Sequence, residues 1–361
     1  MEKTSAMDII KARKALATTI SEEEGRYLQQ QLGASVSLHF TSETLSEVEA
    51  SELERVEVLI PFIHPQIGRT EMQAMPALKL IATRSTGYDH IDLAAAAQRG
   101  ILVANVPGYG ETAVAEHTFA LMLTLSRKIH LAVARTQQGN YSLEGLRGFD
   151  LYGKTLGVVG AGAIGLHVIR IAKGFGMQVV ASDVMQNRLL AEVLGFRYVD
   201  QDELLACSDI VSPHAPALPS TFHLINHERL AKMKRGALLI NTARGSLVDT
   251  QALAWALDEG ILSGVGLDAL EGEEYLQHEE ELLRSSGAEE QLKLVMHNRL
   301  LQRRPNVVIT PHIAFNSEEA LRRILDTTIE NVQAFLAGQP PHLVQAVPDR
   351  RQFCSHRLQE H

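Results

Sequence analysis

Short apolar runs alternate with longer stretches of helical periodicity along most of the chain. Apolar runs rich in β-branched residues are typical of buried parallel strands, and the stretches between them have the length of covering helices. This alternation predicts an α/β fold with parallel sheets. Residues 56–62, 78–85 and 101–106 are the first predicted strands, and a predicted helix begins near Asp92. Together they indicate a small doubly wound domain.

A second set of predicted strands follows, and it indicates a parallel sheet of about six strands between residues 150 and 310. These strands are TLGVVG, QVVASD, DIVSPH, ALLINTA, SGVGLDA and NVVIT. Residues 112–129 predict one long apolar helix, and the polar segment after it indicates a domain boundary or an arm. Residues 317–338 predict a further helix, because Ser317 is a suitable N-cap and Gly338 a suitable end. The pattern therefore predicts two domains.

Composition narrows the class of protein. The chain has 361 residues and a net charge of −9, and it has no long basic run, which argues against a general nucleic-acid-binding protein. Cys207 and Cys354 offer neither a disulfide framework nor a CxxC metal pair, so we expect no metal and a reducing compartment. The chain shows neither a signal-type apolar core nor a stretch long enough to span a membrane. We therefore expect a cytoplasmic protein without a membrane partner.

A glycine-rich turn follows the first strand of the second sheet. Gly160, Gly162 and Gly165 have G-x-G-x-x-G spacing between a predicted strand and a predicted helix, the context of a pyrophosphate-binding turn. Asp183 lies 23 residues after Gly160, at the end of the next strand, where an acid accepts hydrogen bonds from an adenosine ribose. The alternative is a set of ordinary loop glycines with a capping aspartate. Because Asp183 repels a 2′-phosphate and residues 184–186 offer no cation, the pattern favours NAD over NADP.

Three further residues follow predicted strands of the same sheet. Arg244 lies in NTARG, Glu273 in GLDALEGEE and His312 in ITPHIAF. Taken singly, Arg244 is an ordinary solvated arginine, His312 a hydrogen-bonded corner and Glu273 part of a solvated acidic stretch. Together they supply the cation, the acid–base group and the carboxylate that hydride transfer to a 2-oxo acid requires. Because ligands collect at the carboxyl ends of parallel strands, we expect these three residues to converge.

Six motifs in order carry a resemblance to a known family. They are STGYDHID (85–92), NVPGYGETAVAEH (105–117), GVVGAGAIG (157–165), INTARG (240–245), GLDALEGE (266–273) and PNVVITPHIAF (305–315). Over roughly residues 55–340 the chain resembles the D-isomer-specific 2-hydroxyacid dehydrogenase family.

The resemblance implies roles for individual residues. It implies that Arg244, Glu273 and His312 are catalytic and that Asp268 orients the nicotinamide carboxamide. It implies that Thr86 and Gly87 bind the substrate carboxylate through backbone amides and that Tyr109 lines the substrate. The cofactor-binding positions implied by the turn and by the resemblance are Gly160, Gly162, Ala163, Ile164, Gly165, Asp183, Ala215, Pro216, Thr242 and Asp268.

The resemblance also implies a domain organisation. Two Rossmann-like domains would enclose an active-site cleft. The substrate domain would comprise residues 1–108 and 317–345, and the NAD-binding domain residues 109–316, followed by a tail at 346–361. Members of the family generally dimerise through the coenzyme domain, so we expect a homodimer.

Substrate class and alternatives follow from the same motifs. Glu273 argues against the formate-oxidising branch, where an amide is expected, and Phe315 with the long segment 274–304 favours the D-lactate type over the phosphoglycerate type. We expect an enzyme that interconverts a small 2-oxo acid and its D-2-hydroxy acid, with hydride from NADH and a proton from His312. A phosphoglycerate or hydroxypyruvate dehydrogenase is one alternative. The other is an NAD(H)-sensing, corepressor-like binding protein, since the same family fold occurs in such a corepressor and retained catalytic residues do not exclude that class.

Overall fold

The computed structural model describes residues 12–63, 66–277, 279–284, 287–339 and 341–344, so the predicted tail at 346–361 lies outside the described residues. The described strands are β1 (Arg13–Ala17), β2 (Val36–Phe40), β3 (Val58–Ile60), β4 (Leu80–Ala82), β5 (Leu102–Ala104), β6 (Thr155–Val159), β7 (Gln178–Ser182), β8 (Arg197–Tyr198), β9 (Ile210–Pro213), β10 (Ala237–Asn241), β11 (Leu262–Leu267) and β12 (Val307–Ile309).

Helices alternate with these strands along the chain. The described helices are α1 (Glu22–Leu32), α2 (Ala50–Leu53), α3 (Arg69–Ala74), α4 (Leu93–Gln98), α5 (Glu111–Ser126), α6 (Ile129–Gln137), α7 (Ala163–Gly174), α8 (Arg188–Leu194), α9 (Gln201–Cys207), α10 (His227–Ala231), α11 (Thr250–Asp258), α12 (Glu273–Gln277), α13 (Glu279–Arg284), α14 (Glu289–Gln302) and α15 (Glu318–Leu336). None of them is long and apolar enough to cross a membrane.

The chain divides into two compact units, one formed by Met1–Tyr109 with Glu318–His361 and the other by Gly110–Ser317. The first contains a five-stranded sheet of order β2-β1-β3-β4-β5, and the second a seven-stranded sheet of order β12-β11-β10-β9-β6-β7-β8. Every strand pair is parallel. The predicted α/β class is confirmed. In both sheets the chain leaves each strand at the same edge, where a ligand can meet several loops.

The first unit contains two strands that the hydrophobic pattern did not predict. β1 begins with Arg13 and Lys14, and only its last three residues are buried. β2 alternates buried and exposed residues from Val36 and is an edge strand. Both strands are held by parallel pairing with partners distant in sequence, which a local pattern does not report.

The second unit corrects two predictions. The sheet has seven strands rather than six, because Arg197–Tyr198 adds a two-residue strand beside β7. The predicted single helix over 112–129 is wrong at its end, where two helices meet. Lys128 adopts the left-handed conformation with φ 52°, which ends the hydrogen-bond pattern after Ser126 and starts a new helix at Ile129.

Candidate active site

The glycine-rich turn joins β6 to α7, and each glycine has its own surroundings. Gly160 has φ 99°, and a Cβ there would lie 2.9 Å from the backbone N of Ala215. A Cβ at Gly165 would lie 2.1 Å from the carbonyl oxygen of Gly160, so helix and turn pack backbone to backbone. A Cβ at Gly162 would meet nothing within 4 Å. The turn is therefore closely packed at its two ends and open in its middle.

This turn fits the pyrophosphate of a dinucleotide. Gly162 is the N-cap of the 12-residue helix α7 and, like Ala163, is exposed, so free backbone N–H groups of a helix N-terminus face the open space. Asp183 follows β7, and its carboxylate accepts hydrogen bonds from the N–H of Ala161 (2.6 Å) and of Met185 (2.8 Å). These bonds fix the acid beside the turn, where a ribose would lie.

His312 and Glu273, 39 residues apart in sequence, lie together in the structure. His312 Nδ1 is 2.6 Å from Glu273 Oε1, and both side chains are half-buried. Glu273 is held from its other oxygen, which accepts a hydrogen bond from the N–H of Leu270 at 3.1 Å. Among the residues that the structure describes, His312 Nε2 has no hydrogen-bond partner. The carboxylate therefore orients the ring and leaves Nε2 available for proton exchange.

Asp268 lies beneath the loop that carries His312. Its side chain is 1% exposed and accepts hydrogen bonds from Thr310 Oγ1 (2.5 Å) and from the N–H groups of Ile313 (2.9 Å) and Ala314 (2.8 Å). Burial by itself raises the pKa of Asp268, but the hydrogen bonds from His117, Thr310 and the two amides outweigh it and leave the pKa below its ordinary value. Asp268 is thus a buried carboxylate that ties down the 310–314 loop.

The structure adds His117 of α5, which the sequence pattern did not single out. His117 Nε2 lies 3.0 Å from Thr310 Oγ1 and 3.4 Å from Asp268 Oδ1. The next residue, Thr118, shares a hydrogen bond with Thr242 through their hydroxyls (2.8 Å). His117 is the last residue of the motif NVPGYGETAVAEH, and this position is the feature of the sequence that could have indicated it.

Arg244 directly follows the loop at the end of β10. Its Nη1 donates to the carbonyl of Ala243 (2.9 Å), and its own carbonyl accepts from Asn241 Nδ2 (2.9 Å). A Cβ on the next residue, Gly245, would lie 2.0 Å from the carbonyl carbon of Leu270. The Arg244 loop therefore packs backbone to backbone against the turn that leads to Glu273, so the second unit brings these two loops together.

The first unit carries the other predicted substrate residues. Thr86 is exposed, its hydroxyl donates to the carbonyl of Val106 (2.8 Å), and its carbonyl accepts from Asn105 Nδ2 (2.8 Å). Tyr109 is half-buried, and its carbonyl accepts from Arg323 Nε at 2.8 Å. Thr86 is thus an exposed residue whose side chain and carbonyl are both held by hydrogen bonds.

No cluster of three His, Cys, Asp or Glu side chains suited to a metal ion occurs within the described ranges. What the second unit holds instead is a dinucleotide-type glycine turn, a ribose-type aspartate and a histidine–glutamate pair, all after strands of one parallel sheet. These features define a nicotinamide-dependent dehydrogenase.

Comparison with known proteins supports this class. Residues 119–314 match the family described as "D-isomer specific 2-hydroxyacid dehydrogenase, NAD binding domain". A "2-hydroxyacid dehydrogenase homolog" of Haemophilus influenzae is 42% identical over 304 residues, which cover 84% of this chain and 89% of the relative. A D-lactate dehydrogenase of Escherichia coli is 36% identical over 329 residues, 90% of this chain and 98% of the relative.

A solved structure is similar over most of the chain. The D-lactate dehydrogenase of Aquifex aeolicus, in complex with NAD and lactic acid, has a TM-score of 0.83 and 37% identity, and the match covers 92% of this chain and 100% of that one. The chain therefore belongs to the D-isomer-specific 2-hydroxyacid dehydrogenase family. It is an NAD-dependent D-2-hydroxyacid dehydrogenase, which confirms the predicted class and cofactor.

Proposed function

We propose that the protein reduces pyruvate, or a 2-oxo acid of similar size, to the D-2-hydroxy acid and catalyses the reverse oxidation. The observation that carries this proposal is the 2.6 Å contact between His312 Nδ1 and Glu273 Oε1, with Nε2 of the ring unpartnered among the described residues. The names of the relatives from Escherichia coli and Aquifex aeolicus support pyruvate and D-lactate as the pair.

The chain's own residues provide the proton and hold the substrate. The nicotinamide supplies or accepts the hydride when NAD(H) is bound. His312 donates a proton from Nε2 to the substrate carbonyl oxygen during reduction and accepts it back during oxidation. The Glu273 carboxylate stabilises the imidazolium that carries this proton. Arg244 binds the substrate carboxylate, for which a planar guanidinium is well suited.

We assign the cofactor to the second unit. Gly162, Ala163 and Ile164 would receive the pyrophosphate, and Asp183 the adenosine ribose. Gly160 and Gly165 shape the turn, and Ala215, Pro216 and Thr242 would line the dinucleotide. The resemblance supports a contact of Asp268 with the nicotinamide carboxamide. The hydrogen bonds of Asp268 with Thr310, Ile313 and Ala314 indicate a second role, in which Asp268 holds the loop that carries His312.

We assign the substrate carboxylate also to backbone amides of the first unit, at Thr86 and Gly87, with Tyr109 beside the substrate. The exposure of Thr86 and the bonds that fix its loop support this assignment. On this proposal the unit formed by Met1–Tyr109 and Glu318–His361 is the substrate domain.

We also propose a homodimer formed through the NAD-binding unit. Tyr141, Leu143 and Tyr152 are 79%, 84% and 81% exposed, and large exposed apolar side chains are ones that a partner subunit would cover. We expect light scattering to give the mass of two chains for the unmodified protein. The L143D variant should give a lower mass. The composition further supports a cytoplasmic location, which cell fractionation tests.

The test of the proposed function is a panel of 2-oxo acids followed by NADH absorbance. Pyruvate, hydroxypyruvate, glyoxylate, 2-oxoisocaproate and phenylpyruvate are compared, each with NADH and with NADPH. We expect steady consumption of NADH with pyruvate-sized acids, a preference for NADH because of Asp183, and a D-product on a chiral column. NADH binding without turnover of any acid favours the corepressor-like alternative. A clear preference for hydroxypyruvate favours the alternative of a phosphoglycerate or hydroxypyruvate dehydrogenase.

A further inference from the structure

Arg84 is a buried cation in the first unit, two residues after β4 and two before Thr86. It is 4% exposed. Its Nη2 donates to two backbone carbonyls at the end of β1, those of Thr18 (2.8 Å) and Thr19 (2.7 Å). The guanidinium carbon lies 5.4 Å from the centre of the Phe62 ring, which covers one face. The charge is therefore shielded from water by backbone and an aromatic ring.

This charge lacks the partner that a buried cation ordinarily has. Within the described part of the chain, no carboxylate forms an ion pair with Arg84. Arg84 Nε and the hydroxyls of Thr18 and Thr19 are buried without hydrogen-bond partners there. Burial lowers the pKa of Arg84 to about 10, and the more distant Glu24 opposes that change, so the group remains protonated near neutral pH. Because an unpaired buried charge is costly, a retained one calls for a reason.

The contact with Thr19 also holds strained backbone. Thr19 has φ 53°, a left-handed conformation that a β-branched residue rarely adopts. Its N–H donates to the carbonyl of Glu43 (2.9 Å), and its carbonyl accepts from Arg84. A strained conformation persists when surrounding contacts determine it, and Arg84 provides one of these contacts.

The loop from Thr83 to Gly87 is fixed by its own network. The hydroxyls of Thr83 and Ser85 lie 2.9 Å apart, and Ser85 Oγ donates to the carbonyl of Gly87 at 2.6 Å. The backbone N–H of Arg84 donates to the carbonyl of Pro61 at 2.9 Å. The Cα atoms of Arg84 and Thr86 are at most about 8 Å apart, since consecutive Cα atoms are about 3.8 Å apart. The backbone that carries the buried charge is therefore fixed within this distance of Thr86, an exposed residue.

We propose that Arg84 is a positioning residue of the substrate site. Its charge is left without a carboxylate so that the carboxylate of a 2-oxo acid, bound at Thr86 and Gly87, becomes its counter-charge. Arg84 acts at a distance, through its field and through the loop that it ties to the end of β1. This inference rests on the proposed function, and it adds a source of selectivity for anionic over neutral carbonyl compounds.

The test separates the charge of Arg84 from its hydrogen bonds. R84K keeps the charge, R84Q keeps a donor for the carbonyls without the charge, and R84M removes both. The measured quantity is the ratio of kcat/KM for pyruvate to kcat/KM for pyruvamide, in which a neutral amide replaces the carboxylate. R99Q is the matched control, because Arg99 also donates to two backbone carbonyls of this unit, those of Met72 and Met75.

We expect R84Q and R84M to lower this ratio roughly tenfold, the effect of one charge at about 10 Å in a medium of intermediate dielectric. R84K and R99Q should retain the ratio of the unmodified protein. A purely structural role would lower both activities together and leave the ratio unchanged in all variants, which overturns the inference. R84K and R84Q both keep donors for the carbonyls, so poor folding of R84M alone leaves the comparison intact.

The outcomes also distinguish this inference from the proposed function. If the unmodified protein reduces no 2-oxo acid, the proposed function fails. If it reduces pyruvate and R84Q retains the full ratio, the role of Arg84 alone is wrong. NADH binding, followed by fluorescence, should be equal in all variants, because Arg84 belongs to the first unit.

Discussion

Two basic residues of this protein, each following a strand of a parallel sheet, differ in whether a carboxylate lies beside them. In the second unit, His312 lies 2.6 Å from the Glu273 carboxylate. In the first unit, Arg84 donates to backbone carbonyls and forms no ion pair with any described carboxylate. A group that must carry a proton gains from a fixed carboxylate, because that charge stabilises its protonated form. A group that must attract an anion is weakened by a fixed carboxylate, because the negative charge of that carboxylate cancels its field.

Removal of the histidine gives the largest expected effect. H312N should lower activity at least a hundredfold in both directions, the usual contribution of a positioned acid or base. Asn is the replacement of choice, because His312 has φ 53° and Asn tolerates that left-handed conformation. Initial rates of pyruvate reduction and D-lactate oxidation measure the loss. H227A, at an exposed histidine that stacks on Trp255, is the control. Retention of full activity in H312N would contradict the assignment.

Removal of the carboxylate charge should have the next largest effect. E273Q replaces a charge-assisted hydrogen bond with a neutral one, a difference of about 1.4 kcal/mol or tenfold in the rate of pyruvate reduction at neutral pH. The measurement is the initial rate of pyruvate reduction at neutral pH.

The control for this prediction is E271Q. Glu271 lies two residues away, and its Oε1 is also 2.6 Å from a histidine nitrogen, His223 Nε2. E271Q should keep the rate of the unmodified protein. An E273Q rate equal to that of E271Q would show that the Glu273 charge does not assist His312.

A carboxylate introduced beside Arg84 tests the other half of the comparison. T18D places an acid next to the carbonyl that Arg84 already contacts, at a side chain whose hydroxyl is buried without a partner among the described residues. We expect KM for pyruvate to rise about fivefold through cancellation of the field, with a smaller change for pyruvamide. T18N is the neutral control of the same size. Equal KM values in T18D and T18N would remove the electrostatic part of the argument.

His214 offers a histidine without a carboxylate, and its effect on stability is the smallest expected. Its Nε2 lies 2.9 Å from Ser212 Oγ, its Nδ1 is buried without a partner in the described residues, and burial lowers its pKa to about 4. The unfolded chain therefore binds this proton below about pH 6.5 and the folded protein only near pH 4. Stability should be complete above the higher value and fall toward the lower one.

The expected loss of stability from His214 is about 1 kcal/mol, less than full burial would give, since the residue is only half-buried. Urea unfolding in neutral and mildly acidic buffer measures it, and H214N should show a smaller difference between the two buffers. An equal pH dependence in both proteins would assign the effect to other groups.

Features that depend on neighbouring residues were predictable from the sequence. The spacing of Gly160, Gly162 and Gly165 and the position of Asp183 predicted the turn and the cofactor, because a tight turn and a helix N-terminus are local structures. The apolar runs predicted the six longer strands of the second sheet for the same reason. The motif order predicted the family, which the comparisons confirm.

Features that depend on distant contacts were decided by the tertiary structure. β1 and β2 are held by partners elsewhere in the chain, and the break at Lys128 depends on a single backbone conformation. The chemistry of Arg244, Glu273 and His312 suggested convergence, but only the fold brings Glu273 to 2.6 Å from His312. The same holds for Arg84, because the local sequence does not distinguish it from any other charged residue that follows a strand. Burial and the absence of a counter-charge are properties of everything packed around a group, so they arise only when distant segments come together.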